Sequence, residues 1–386
     1  MSDTREANGV YLYRYSTGAA ILRIAILTSG GDAPGMNAAI RAATVVALAL
    51  GHEPVGVRHG FRGLVNGEFE PLDSLAVADV LRRGGTILQS ARCPEFHERA
   101  VRDTARAALT DAGVDGLIVI GGNGSLTGAQ YLSDPLEAGD WPVRVVGIPA
   151  SIDNDIALTS LSLGVDTAMN TIVEACDKIA DTASAHDRVF LVEVMGRECG
   201  YLAMTSAIAS GADMVLFPEA DRTEEQLVDA VVEAVLAVRQ RGGTQKVIAI
   251  KAEGIETASD QLKTLVDEKL ADRTGESVEE IETRVTVLGH VVRGGRPSAF
   301  DRLLGSRMGN VAVRALVDGD HRQMVAWQPP IDATGDVGER SVYDPYCYLM
   351  PLDDVITATR NLLEGQSPLA RWRATIFDDL EDIFLL

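Results

Sequence analysis

The chain is poor in several things at once, and each shortage removes a class of protein. Its 386 residues include only four cysteines, Cys93, Cys176, Cys199 and Cys347, with no CxxC pair and no zinc-ligand spacing. That excludes a disulfide framework or zinc module and reads as reduced thiols in a cytoplasmic protein. Basic residues are outnumbered 35 to 56, for a formal net charge of -21 at pH 7, so nucleic acid and anionic membrane surfaces are repelled. No apolar run approaches the roughly 20 residues that span a bilayer. Residues 1–20 lack the apolar stretch of a signal peptide and are expected to form an N-terminal arm. There is no low-complexity segment, no repeat of roughly 20 to 50 residues and no GxxxxGK[ST] phosphate loop.

What is present is the material of a large core. Hydrophobic residues make up 46% of the chain and charged residues 24%, and the length favours two domains sharing a cleft. Short apolar runs predict strands over 22–29, 53–58, 116–122, 143–149, 188–196, 214–219, 246–254 and 283–289. Helical periodicity follows most of them, as over 36–50, 126–134, 224–241 and 262–275. Strand and helix in alternation imply right-handed crossovers. The expected class is α/β, as two doubly wound, mainly parallel-sheet domains with the active site in the cleft between them.

In such sheets ligands bind beyond the carboxyl ends of the strands, so the residues after each strand form one candidate site. Ser29-Gly30-Gly31-Asp32 follows the first strand and GGNGS, residues 121–125, follows the third. Glycine lets backbone amides approach an anion such as phosphate, although an empty tight turn has the same composition. Ser151-Ile152-Asp153-Asn154-Asp155 follows the fourth strand. If that stretch is extended, Asp153 and Asp155 project to one side, where their repulsion favours a cation or a shared proton. An Asx-rich turn is the plainer alternative. Two glycine turns, a carboxylate pair and arginines near the later strands point to phosphoryl transfer. A dinucleotide oxidoreductase is disfavoured, because no GxGxxG follows the first strand.

Eight blocks in order, from ILTSGGDAPGMNAAIRA through GGTILQSARCPEF, VIGGNGSLTGA, GIPASIDNDI, GVDTAMNTI, VEVMGRECGYLA and KAEGIE to TVLGHVVRGGRPSAFDRLLGSRMG, closely resemble the phosphofructokinase family. The likeness runs from about Arg23 to about Ala315. It implies transfer of the γ-phosphoryl group of ATP, with Mg2+, to the 1-hydroxyl of fructose 6-phosphate, a glycolytic step. It also implies a cytoplasmic homo-oligomer, dimer or tetramer. Residues 21–164 plus 293–343 would bind the nucleotide and 165–292 plus 344–386 the sugar phosphate. By resemblance Gly31, Arg92, Gly122, Asn123, Gly124 and Ser125 line the donor phosphates. Asp153 is the base, Arg92 and Arg197 stabilise the moving group, and Asn123 and Asp155 hold the metal. Ser151, Asp153, Met195, Gly196, Arg197 and Glu253 take the sugar. Arg188, Arg284, His290 and Arg293 take its 6-phosphate, with Arg188 and Arg284 lent by a neighbouring subunit.

The departures matter as much. Asn123 stands where the family has Asp, so a metal ligand keeps its oxygen and loses its charge. Gly124 and Ala150 sit at the two donor-marking positions and lean towards ATP over pyrophosphate. Arg58, Cys93 and His97 replace Tyr, Phe and Arg near the adenine, which removes stacking partners. Val45, Gly242 and Thr244 replace effector-site cations beside a retained Arg41, so regulation by ADP or phosphoenolpyruvate is expected to be weak. A pyrophosphate user, a kinase of another sugar phosphate such as sedoheptulose 7-phosphate, and an impaired sugar-phosphate sensor remain alternatives.

Overall fold

The computed structural model describes residues 20–185, 187–241, 245–278, 281, 283–329 and 339–369. The arm, apart from residue 20, and positions 242 and 244 lie outside the described residues. Among the described residues, twelve strands form two sheets: β1 Arg23–Ser29, β2 Glu53–Val57, β3 Phe69–Pro71, β4 Gly116–Gly121, β5 Arg144–Pro149, β6 Val189–Val194, β7 Met214–Leu216, β8 Val247–Ala252, β9 Thr283–Val287, β10 Gln323–Trp327, β11 Glu339–Arg340 and β12 Cys347–Pro351. The first sheet runs β11-β12-β10-β5-β4-β1-β2-β3 and the second β7-β8-β6-β9. Pairing is parallel from β10 to β2 and throughout the second sheet. Antiparallel pairing is confined to β3, β11 and β12 at the margins.

The central strands are parallel because helices cover both their faces. Every residue of β4 is buried, and its run GLIVIG has no polar alternation. All eight strands read from the sequence are present, each within a few residues of its expected bounds. One helix differs in a way that bears on the site. It begins at Asn123 rather than near 126, capped by Gly122, whose carbonyl accepts from the amides of Ser125 and Leu126 at 3.0 Å each. The glycine turn is therefore the helix N-terminus itself.

The expected assignment of 344–386 to the second domain is corrected by the strand pairing. β12 pairs antiparallel with β10, from Gln323 opposite Pro351 to Trp327 opposite Cys347, so it belongs to the first sheet. Its side chains explain why: Cys347 and Met350 are buried and extend the core beside β10. The helix Leu352–Leu363 then packs on the first-sheet helix Asn123–Leu132. Residues 370–386 lie outside the described residues.

One hydrophobic core passes from sheet to sheet, joining Ile118 and Ile148 of the first to Val192 and Ile250 of the second. The helix Ala299–Asp318 packs on the first sheet and touches the helix Val165–Ser184, which lies against β6 and β8. Its Gly305 and Gly309 lie so close to the helix Met36–Ala49 that a Cβ would come 2.7 Å from the Gly35 carbonyl oxygen and 2.6 Å from that of Ala39. The buried Asp301 accepts from the Gly164 and Thr167 amides at 2.8 Å each and so caps the helix Val165–Ser184. Among the described residues, no helix is long and apolar enough to cross a membrane. All four cysteines are free thiols.

Candidate active site

A cleft of about 540 Å3 opens beyond the carboxyl ends of β1, β4 and β5. Its lining includes Gly31, Arg92, Gly122, Asn123, Gly124, Ser125, Ser151, Asp153, Asp155 and Arg293, ten of the residues singled out above. On the donor side, Gly121 can be nothing else: a Cβ there would lie 2.5 Å from both the Ser125 hydroxyl and the Ser29 carbonyl oxygen. The two glycine turns therefore close on each other and leave the first amides of the helix Asn123–Leu132 facing the cleft, where an anion is favoured. Gly124 differs, since a Cβ there would meet nothing within 4 Å. A longer side chain at that position would enter the cleft.

At the far end of this wall the aromatic groups are not the ones the sequence pointed to. Arg58 faces away and pairs with Glu70 at 3.2 Å. Cys93 and His97 line the cleft, as expected, but so do Phe61, Phe96 and Tyr131. Phe61 and Phe96 stack with ring centroids 4.2 Å apart, and Tyr131 stands more exposed beside them. Phe61 and Phe96 are themselves buried, so Tyr131 is the ring most open to the cleft. Gly124, Gly128 and Tyr131 follow the i, i+4, i+7 spacing of one helix face, a signal present in the sequence. Arg102 fixes this wall by donating to the Phe96 and His97 carbonyls at 2.9 and 2.7 Å while clamping Glu137 with two bonds of 2.9 and 2.6 Å.

The carboxylate pair occupies a turn. Asn154 between the two acids has φ 49°, a left-handed conformation that Asn tolerates, so the segment is not extended as the spacing allowed. The side chain of Asn154 accepts from the Ser162 amide and hydroxyl at 3.0 and 3.1 Å, which holds that conformation. Both acids still line the cleft. Asp155 accepts a bond of 2.6 Å from the Ser151 hydroxyl. Asp153 is treated differently: its Oδ1 is shut off from solvent and accepts no hydrogen bond from the chain. Burial pushes this carboxyl up to about 6, and neighbouring Asp155 adds to the rise; Arg293 and Arg197 pull the other way, against a further push from Glu253.

Beyond β6 and β8 lie the turns of the second wall. The Gly254 amide donates to the Gly196 carbonyl at 3.1 Å and that of Glu253 to Val194 at 2.8 Å, which locks Met195–Arg197 against Glu253–Gly254. Met195 and Gly196 are buried and Arg197 is exposed. Glu198, not anticipated, lines the cleft next to Arg197. His290 is exposed on the short helix Gly289–Arg293 after β9. Arg293 reaches furthest, donating to the Asp32 carbonyl at 3.4 Å and lying over Gly31 on the donor side. Arg188 and Arg284 are elsewhere. Arg188 immediately precedes β6, and Arg284 pairs with Phe190 in that strand, so both sit at the amino ends, about 20 Å from the turn after β6.

The donor set in the cleft suits one kind of metal. Asp155 gives a carboxylate and Asn123 a neutral oxygen, and no cluster of three His, Cys, Asp or Glu able to cage an ion occurs among the described residues. Magnesium, which keeps waters and takes phosphate oxygens beside one or two protein ligands, fits so sparse a set.

Fold and cleft together define a doubly wound α/β protein with an anion-accepting cleft and a solvent-starved carboxyl at its strand ends. The profile described as Phosphofructokinase matches residues 23–316, and the chain belongs to the phosphofructokinase family. It is 46% identical over 306 residues to the ATP-dependent 6-phosphofructokinase of Thermotoga neapolitana, covering 79% of this chain and 90% of that one. It is 41% identical over 348 residues to ATP-dependent 6-phosphofructokinase 1 of Clostridium perfringens, covering 90% and 98%. Among solved structures, Pichia pastoris phosphofructokinase in the T-state superposes with a TM-score of 0.78 at 33% identity. That match covers 95% of this chain but only 39% of the Pichia chain. The pyrophosphate-dependent phosphofructokinase of Marinobacter aquaeolei, at 19% identity and a TM-score of 0.71 over 87% of this chain and 84% of that one, shares the fold.

Proposed function

We propose that the chain catalyses the ATP-dependent phosphorylation of fructose 6-phosphate to fructose 1,6-bisphosphate, with ADP as the other product, as a step of glycolysis in the cytoplasm. The observation that carries this reading is Asp153, whose carboxyl lines a cleft walled on one side by glycine-turn amides while its buried Oδ1 receives no donor from the chain. A substrate hydroxyl completes that carboxyl. The 1-hydroxyl of the sugar donates its proton to Asp153 as its oxygen attacks the γ-phosphorus, in line with the departing ADP.

The rest of the chemistry is positioning and charge. Backbone amides of Gly122 to Ser125, with Gly31, receive the donor phosphates, while Arg92 and Arg197 balance the charge of the moving phosphoryl group. Magnesium, when bound at Asp155 and Asn123, would neutralise phosphate charge. Ser151 orients Asp155 through their 2.6 Å bond. Met195, Gly196, Arg197 and Glu253 hold the sugar, and His290 and Arg293 approach its 6-phosphate. Arg188 and Arg284, at the wrong end of their own strands, serve a neighbouring copy in a homo-oligomer. Gly124, open to the cleft, leaves room for a nucleotide's α-phosphate.

Changing Asp153 to Ser is expected to lower turnover by about 10²- to 10⁴-fold with little change in sugar-phosphate binding. Steady-state assays with ATP and with pyrophosphate in parallel, beside calorimetric binding of fructose 6-phosphate, check this. Full turnover in that variant, turnover with pyrophosphate alone, or binding without turnover in the unaltered protein would each replace the reading.

A further inference from the structure

Arg92 is exposed on the cleft wall, and residues 83–93 that carry it contain neither helix nor strand. Something else must hold that stretch still. Asn37, in the first turn of the helix Met36–Ala49 and only 1% exposed, spends its whole side chain there. Its Nδ2 donates to the Arg83 and Gly84 carbonyls at 2.9 and 3.2 Å, and its Oδ1 accepts from the Ile87 amide at 2.8 Å. An Asn this early in a helix ordinarily serves its own helix end; here all its bonds cross to a segment 46 to 50 residues away.

From that grip the path to Arg92 is short and has little slack. Leu88 is fully buried, and the Thr28 hydroxyl meets Thr86 Oγ1 at 2.8 Å and the Gln89 carbonyl at 3.0 Å. The Ser90 hydroxyl donates to the Gly30 carbonyl at 2.7 Å, two residues before Arg92. The other side of the stretch is wedged as well, since a Cβ at Gly84 would come 2.2 Å from the Gly295 carbonyl oxygen. Without the Asn37 amide, two part-buried carbonyls and one part-buried amide would lose their partners, and the segment would shift to find water.

We propose that Asn37 is a positioning residue for phosphoryl transfer, acting through the backbone of 83–87 to fix the guanidinium of Arg92. The inference rests on the role of Arg92 given above. Displacing a catalytic group by about 1 Å lowers rate on the order of 100-fold. Asn37→Ala is therefore expected to keep a cooperative thermal transition, to lower kcat about 30- to 100-fold, and to leave the KM for fructose 6-phosphate within about twofold.

A double-mutant cycle with Arg92→Ala tests the route. If Asn37 acts through Arg92, adding Asn37→Ala to Arg92→Ala lowers kcat by less than about twofold more. Repetition of the full loss in that background, or a loss that falls on the sugar-phosphate KM, overturns the proposal. Asn37→Ser, which retains a hydroxyl, is carried through the same cycle in case the alanine variant does not fold. If neither folds, Asn37 is a residue of the fold alone and the proposal is overturned. Full turnover in Arg92→Ala by itself refutes the role of Arg92, and that failure is separate.

Discussion

Gly122 to Ser125, just after β4, meet the cleft with backbone amides and small side chains, whereas the turns after β6 and β9 line it with Glu198 and Arg293, and Arg197 and Glu253 act on Asp153 through their charge. The first wall is finished within one chain. Gly121 leaves no room for a Cβ, and the segment that carries Arg92 is tied to Asn37. The second is unfinished in a specific sense: Arg188 and Arg284, which the family resemblance assigns to the 6-phosphate, stand at the opposite edge of their sheet. Amide-built sites tolerate no side-chain intrusion, whereas sites built from long cations can be shared between chains.

Removing a cation from the shared side gives the largest expected effect on this contrast. Arg188→Ala should raise the KM for fructose 6-phosphate by about 30- to 100-fold, matching about 2 to 3 kcal/mol for a charge-assisted phosphate contact. Mixing it, under conditions that exchange subunits, with the inactive Asp153→Ser protein should restore part of the activity. No recovery in subunit-exchanged mixtures would show that each chain uses its own Arg188. A smaller effect is expected on the self-contained side. Gly124→Asp places a carboxylate in open cleft space and should raise the KM for ATP about tenfold while leaving the sugar KM unchanged, read from paired saturation curves.

The smallest effect concerns stability. The carboxyl of Asp153 is pushed up to about 6 by burial, above its ordinary 3.8. Because the folded value exceeds the unfolded one, the folded chain binds the extra proton between those limits, and the destabilisation is absent below pH 4 and complete above pH 6. Asp153→Asn should therefore raise Tm by about 2 °C at pH 8 and by less at pH 4, measured by calorimetry without ligands. An equal gain at both values would separate the effect from ionisation. For the same reason the turnover of the unaltered enzyme is expected to fall as pH drops through about 6.

Much of this was legible in the sequence because parallel strands buried on both faces read as plain apolar runs, and because glycine turns sit where those runs stop. β4 and its GGNGS turn are the clearest case. Legibility failed where tertiary contacts choose between local options. β12 is not among the strands the sequence predicts, since CYLMP carries no clear alternation, and only its partner β10 reveals it. The turn at Asn154 depends on Ser162, eight residues away, and spacing alone could not reveal its left-handed geometry. The aromatic lining of Phe61, Phe96 and Tyr131 comes from three separate segments, so the residues at Cys93 and His97 gave no sign of it.

The apolar interior common to both sheets also sets how the molecule handles its reactants. Jaws that swing apart need a seam that water can enter, and here the buried carboxyl of Asp301 pins the helix Ala299–Asp318 to the start of the helix Val165–Ser184. Gripping and releasing reactants is then left to small sliding of helices and to the reach of individual guanidinium arms, Arg293 foremost. Such an enzyme changes its hold without changing its outline.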